Sequence, residues 1–209
     1  MQKPVIIFGA GDLARQAIEI FMLNNVPVYG FLDDDKNLHG SDIFGIPVLG
    51  STEDEKMLKL IGHDCNAFVC MDEVALQKSI VKLMIQKKQI PVNAVHPKAI
   101  VSTNAILNHG NLIEANVFIG SGLQTGSYNQ FKVGAILNYG GKIGNYCQIG
   151  PGAIVDSDVT IEDEVFIGAG ARIISGLKIG KGARIGAGSV AINEINANET
   201  VFGNPAKSV

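Results

Sequence analysis

IGPGAIVDSDVTIEDEVFIGAGARI, residues 149–173, returns an aliphatic residue at every sixth place: Ile149, Val155, Ile161, Ile167 and Ile173. The phase extends in both directions without slipping. Stepping by six from Val101 to Ala191 meets sixteen residues, of which fourteen are Val, Ile, Leu or Phe; the exceptions are Thr125 and Ala191. Three places after each of these, nine of the sixteen residues are Gly. Four places after, the residue is mostly small or apolar, as at Ala105, Ala135, Cys147, Ala153, Ala171, Ala183 and Ser189. An inward aliphatic side chain, a second small inward one, and a glycine where the chain turns are what a tightly bent solenoid requires.

Ahead of the repeats the pattern is different. Val5-Ile6-Ile7-Phe8 is a buried-strand run, and Leu13, Ala17, Ile18 and Phe21 follow at helical spacing. Val28–Leu32 reads as a second strand ending in Asp33-Asp34-Asp35, residues 67–70 as a third and 92–95 as a short fourth. Ser51 with Asp54, or Thr52 with Glu55, fits a capping box, and Asp72 is placed to cap a helix running through Val74, Ile80, Val81 and Met84. Strand–helix alternation of this kind implies a parallel sheet. The expected division is therefore an α/β, Rossmann-like half domain over residues 1–95 and a solenoid of six-residue repeats over 96–209.

Composition agrees with a repetitive β architecture: 25 of 209 residues are Gly, Trp is absent and aromatics are 6%. Charge is nearly balanced, with 17 Lys and Arg against 20 Asp and Glu, which argues against a nucleic-acid partner or an anionic membrane surface. Three irregularly spaced cysteines suit neither a disulfide framework nor a zinc site. With no leader-like segment and no apolar span of membrane length, the chain reads as cytoplasmic, without membrane insertion.

Gly9 and Gly11 lie between a strand and a helix, where a turn lacking Cβ lets backbone amides and the helix dipole meet a phosphate. The acidic cluster Asp33, Asp34 and Asp35 stands about 20 residues on, where carboxylates accept hydrogen bonds from ribose or base. One mononucleotide half fits within this length, which disfavours a nicotinamide dehydrogenase and favours a single nucleotide. In the last repeats Arg172, Lys178, Lys181, Arg184 and Lys207 gather, opposed in the sequence by Glu194 and Glu199. Such cations, with amides at Gly168-Ala169 and Gly186-Ala187, suit a polyphosphate.

Ile7-Phe8-Gly9-Ala10-Gly11-Asp12-Leu13-Ala14, Gly30-Phe31-Leu32-Asp33-Asp34-Asp35, Gly45-Ile46-Pro47-Val48-Leu49-Gly50, Val95-His96-Pro97-Lys98-Ala99 and Gly203-Asn204-Pro205-Ala206-Lys207 together span the chain. In these stretches it resembles the bacterial sialic-acid O-acetyltransferase and bacillosamine or perosamine N-acetyltransferase group of the hexapeptide-repeat family. The resemblance implies a left-handed parallel β-helix of about five coils, three hexapeptides to each, over residues 96–209, and a homotrimer. It also implies a nucleotide sugar held by the N-terminal domain, acetyl-CoA as acyl donor with no metal, and acetylation of a sugar amine or hydroxyl. It would place Gly9, Gly11, Asp33, Asp34 and Asp35 on the sugar nucleotide, and Gln148, Gly168, Ala169, Lys181, Arg184, Gly186, Ala187 and Lys207 on the cofactor.

The family's catalytic histidine, in a His-Asp/Glu-Cys segment before an Ile-Gly pair, falls on Tyr139, and its acidic neighbour on Gly140. A second family histidine nine places on is Gln148 here. A phenol, titrating ordinarily near about pH 10, is a poor base at neutral pH but donates a hydrogen bond. A catalytically impaired binding or scaffold homologue is therefore the alternative function. The remaining candidates for the base are Asp156, Asp158 and His109. A trimeric zinc enzyme would need three imidazoles at an interface, and His109 alone lies within the repeats.

Overall fold

The computed structural model describes residues 2–209, which form two compact units, one ending at Pro97 and the other spanning Lys98–Val209. The first is built from β1 (Val5–Phe8), α1 (Asp12–Leu23), β2 (Val28–Leu32), β3 (Asp42–Ile43), β4 (Ile46–Gly50), α2 (Glu55–Leu58), β5 (Asn66–Val69) and α3 (Val74–Gln86). Its sheet runs β3-β4-β2-β1-β5, parallel except for the antiparallel β3–β4 pair. β1 reads as an unbroken apolar run because it is central, and all four of its side chains are fully buried. Leu13, Ala14, Ala17, Ile18 and Phe21 form the buried stripe of α1, and Phe21 meets Phe68 of β5 edge-on with centroids 5.4 Å apart.

Local details depart from the sequence reading in three places. The cap of α2 is Asp54, whose carboxylate accepts from the amides of Lys56 and Met57, so neither capping box forms. Glu73, not Asp72, stands at the N-cap of α3, and its side chain makes no capping bond. The fourth strand is shorter than expected, Ala94–Val95, although the amide of Val92 bonds the carbonyl of Ala67.

The second unit is the left-handed β-helix. Two-residue strands pair in parallel with partners 18 residues away, so each coil is three hexapeptides. One face stacks six strands, at 100–101, 118–119, 136–137, 154–155, 172–173 and 190–191; a second stacks five, at 106–107 through 178–179. On the third face strands 112–113, 130–131, 148–149, 166–167, 184–185 and Thr200–Phe202 follow one another, and Lys207–Ser208 folds back antiparallel on Thr200–Phe202. The second residue of almost every strand points inward and is buried.

The glycine signal is a conformational one. Residues three places after the inward aliphatic hold left-handed φ, from Gly110 (71°) and Gly122 (74°) to Gly182 (68°) and Gly188 (67°). Asn116, Tyr128, Tyr146, Asp158 and Glu164 occupy the same place with φ of 58–63°. Asn and Asp adopt this conformation with the least strain, whereas a tyrosine needs compensation. Tyr128 and Tyr146 obtain it by stacking, centroids 5.1 Å apart, with the His109 ring edge-on to Tyr128 at 5.5 Å. Inside, Asn111 and Asn129 replace aliphatics, and each carbonyl oxygen accepts the amide one coil on, at Asn129 and Cys147.

Candidate active site

The sheet order reverses at β1: β2 and β4 lie on one side and β5 on the other. In open α/β sheets a crevice forms at such a point, outside the carboxyl ends of the strands. A cleft of about 420 Å³ lies there, lined by Gly9 and Gly11 after β1, Asp33, Asp34 and Asp35 after β2, and residues 70–73 after β5. Gly9 is required twice over: its φ is +101°, and a Cβ would strike the carbonyl of Cys70. Gly11, at the N-cap of α1, has extended backbone and open space around it, so no such demand applies.

The three aspartates do different work. Asp33 accepts from the Ala10 amide at 2.8 Å and, through its other oxygen, from the amide of Asp35. Asp34 is turned onto the buried Thr52, taking its amide at 2.9 Å and its hydroxyl at 3.0 Å. Asp35 binds the amide and side chain of Asn37. Asp72, which the sequence reading treated only as a cap, and Glu73, which it did not single out, add two carboxylates; the switch-point rule was the signal that could have found them. The lining residues include no Lys or Arg. The cleft therefore suits donor groups, such as hydroxyls and base N–H, better than phosphate.

On the β-helix, the five late cations do not form one cluster. Arg172 stands on the first face, Lys178 on the second, and Arg184 on the third. Lys178 pairs with Glu162 at 2.8 Å and Lys181 with Glu164 at 3.2 Å. Glu162 also accepts the amide of Lys181 at 2.9 Å, and its carboxyl is held below the ordinary range by Lys178 first and that amide second. Sequence reading set only Glu194 and Glu199 against these cations; counting 18 residues per coil would have brought Glu162 and Glu164 beside them. Arg184 lies over the Phe166 ring, 4.7 Å from its centroid, on the same face as the Lys207 strand. Of the four expected anion-binding amides, Gly168 and Gly186 are used between coils, donating to Ile185 and Val201. Ala169 and Ala187, exposed and one coil apart on the corner after the third face, are the two left to face a ligand.

Tyr139 projects from the corner after the first face, 60% exposed. Its carbonyl accepts the amide of Asp158 from the next coil at 3.1 Å. Gly140 has φ +69°, and a Cβ there would collide with the Asp158 carboxylate. Asn138 donates to Asp156 at 2.9 Å, and the Ser157 amide to the same oxygen at 2.8 Å. These bonds, with Ser175, hold the Asp156 carboxyl below its ordinary range. Gln148 is half-buried on the third face, and His109 lies on the corner between the second and third, so neither shares the corner of Tyr139. Among the described residues no group of three or more His, Cys, Asp or Glu could hold a metal, and no helix is long and apolar enough to cross a membrane.

Residues 4–84 match the PglD N-terminal domain, and residues 140–175 and 158–192 match the bacterial transferase hexapeptide (six repeats). The chain superimposes over its whole length on PerB of Caulobacter crescentus in complex with CoA and GDP-perosamine, with TM-score 0.90 and 27% identity, covering 98% of that chain. The acetyltransferase domain of PglB from Neisseria gonorrhoeae FA1090 in complex with acetyl coenzyme A gives TM-score 0.91 and 25% identity, with 100% of both chains covered. WeeI from Acinetobacter baumannii AYE shares the fold at TM-score 0.88 and 22% identity, again over 100% of both chains. None of the curated proteins compared matches the sequence.

Proposed function

We propose that this chain, which belongs to the bacterial hexapeptide-repeat transferases that open with a PglD N-terminal domain, is an acyl-CoA-dependent acetyltransferase for an amine or hydroxyl of a nucleotide-activated sugar. The observation that carries this reading is the full-length likeness to an enzyme holding both CoA and a nucleotide sugar. The residues suit those ligands. Asp33, Asp72 and Glu73 offer acceptors to the hydroxyls and base of a nucleoside, while Arg184, Lys207 and the amides of Ala169 and Ala187 offer donors to the anionic end of CoA.

A homotrimer belongs to the same proposal. Ile100 (64% exposed) and Ile136 (36%) stack with half-buried Phe118 and Ile154 as an apolar column on the first face, and Ile174 and Ile192 are exposed at the corner beyond it. Phe166, an outward aromatic of the third face, is covered in part by Arg184. Tyr139 and Gln148 lie on opposite sides of the second face, so one ligand touching both positions would lie between two copies of the chain. Light scattering should give about three times 22.1 kDa; a monomer would sink this part.

The test of function is thiol release from acetyl-CoA with a panel of uridine and guanosine diphosphate sugars, alongside thermal unfolding with each ligand. A ligand held at about 100 times its Kd should add roughly 3 kcal/mol to stability. Turnover with at least one sugar is expected. Binding of both ligands without turnover would favour the scaffold reading, which the absence of an imidazole at position 139 supports. No shift with either ligand at millimolar concentration would overturn both.

A further inference from the structure

Two carboxylates stand at the corner of Tyr139, and they differ in what they are free to do. Asp156 is saturated: Asn138, the Ser157 amide and Ser175 all donate to it, and its proton affinity is lowered accordingly. Asp158 accepts no hydrogen bond and makes no ion pair among the described residues, and it is exposed. Its carboxylate is nonetheless placed. The left-handed backbone at φ 58° and the bond from its amide to the Tyr139 carbonyl turn it down over Gly140. The space above position 140 that a side chain there would occupy is filled from the coil above.

From this geometry we infer that Asp158 is the base of the acyl transfer and that the acceptor it serves is an amine, an inference that rests on the acetyltransferase reading above. A hydroxyl must give up its proton as it attacks a thioester, which asks more of a lone carboxylate that no second group orients. An amine does not need that help. Its lone pair attacks the thioester carbon, the C–N bond forms, and the carbonyl π electrons move to oxygen. The nitrogen is then cationic and more acidic than a free ammonium, and Asp158 takes its proton. Collapse of the oxyanion breaks the C–S bond, and the Asp158 carboxylic acid returns the proton to the departing thiolate. Amide and thiol result, with no other reactant consumed.

Asp158→Asn tests this cleanly, because Asn adopts left-handed φ as readily as Asp. Thiol release by the full chain would be followed with acetyl-CoA and nucleotide sugars bearing either an amine or a hydroxyl at the acceptor position. The expected result is native turnover with the amino sugar only. Asp158→Asn should lower kcat by about 10²-fold or more, with KM for both substrates and the melting temperature unchanged. Asp156→Asn should lower the melting temperature more than kcat. If Asp158→Asn retains native kcat, the assignment of the base is overturned while the acetyltransferase reading stands. Comparable turnover of the hydroxyl sugar would overturn the amine assignment. A native protein silent with every acceptor would bring down the acetyltransferase reading and this inference with it.

Discussion

Gly140 shows how a residue can be fixed by what lies 18 positions away. Restoring the family's imidazole and its acidic neighbour, by Tyr139→His with Gly140→Asp, is the obvious repair from the sequence. The structure argues against it, since position 140 combines a positive φ with the Asp158 carboxylate directly above. Asp tolerates the left-handed backbone, at a cost of no more than about 1–2 kcal/mol, so the larger penalty of Gly140→Asp should come from the collision with the Asp158 carboxylate and its like charge. The double variant is therefore expected to melt below Tyr139→His and to turn over more slowly, read by differential scanning fluorimetry and thiol release. A second contrast lies among the aspartates. Asp34→Ala strips both the hydroxyl and the amide of buried Thr52 of their acceptor and should destabilise the N-terminal unit by about 1–3 kcal/mol. Asp33→Ala should instead weaken the nucleotide-sugar shift, because Asp33 faces the cleft from a bond to the turn amide of Ala10. Equal melting temperatures for the two variants would refute the distinction.

Among the elements, the hexapeptide strands were the most legible, because period six is a strong signal and each strand needs only one inward aliphatic. The helices of the first unit were legible as stripes, but their caps were not. Asp54, Ser51 and Thr52 are all good caps, and only the three-dimensional turn selects among them. The β3–β4 hairpin escaped notice because Gly45-Ile46-Pro47-Val48 was read as a motif and not as structure. Charge placement failed for a more general reason. Consecutive hexapeptides face 120° apart, so cations close in sequence diverge in space while acids a coil away approach. Arg184→Ala and Lys207→Ala, on one face, should each reduce the acetyl-CoA stabilisation, whereas Lys178→Ala, which removes a partner from Glu162, should leave it within error. Loss of binding in Lys178→Ala alone would move the anion site to the second face.

For the molecule as a whole, the β-helix carries its titratable burden asymmetrically, and that determines how it should respond to pH. On the acid side the perturbed carboxylates, Asp156, Glu162 and Glu199, are half-exposed groups with lowered pKa. Whatever stability they contribute is present above the ordinary carboxylate range and fades as pH falls through it, so the acid limb should be shallow. On the alkaline side the groups are buried, Cys147 within the prism and Tyr128 at a corner beneath Tyr146. Burial pushes the Cys147 thiol up to about 12 from an ordinary 9.0, and its sulfur donates to the carbonyl of Glu162 at 3.1 Å. Burial, then the neighbouring Tyr146, pushes the Tyr128 phenol up to about 12. Between pH 9 and 12 the unfolded chain has released the Cys147 proton and the folded chain has not. The unfolded state then binds fewer protons, and stability falls as pH rises. For Cys147 the slope approaches about 1.4 kcal/mol per pH unit, and above pH 10 Tyr128 steepens it further. Denaturant titrations of the full chain at intervals from pH 7 to 11 should show a plateau to about pH 9 and a decline beyond it. Cys147→Ala, whatever its effect on the plateau, should make that decline shallower, and Tyr128→Phe should do so only above pH 10. A slope unchanged by both substitutions would mean that these two groups titrate alike in the folded and unfolded chain, and that water reaches the Cys147 thiol and the Tyr128 phenol.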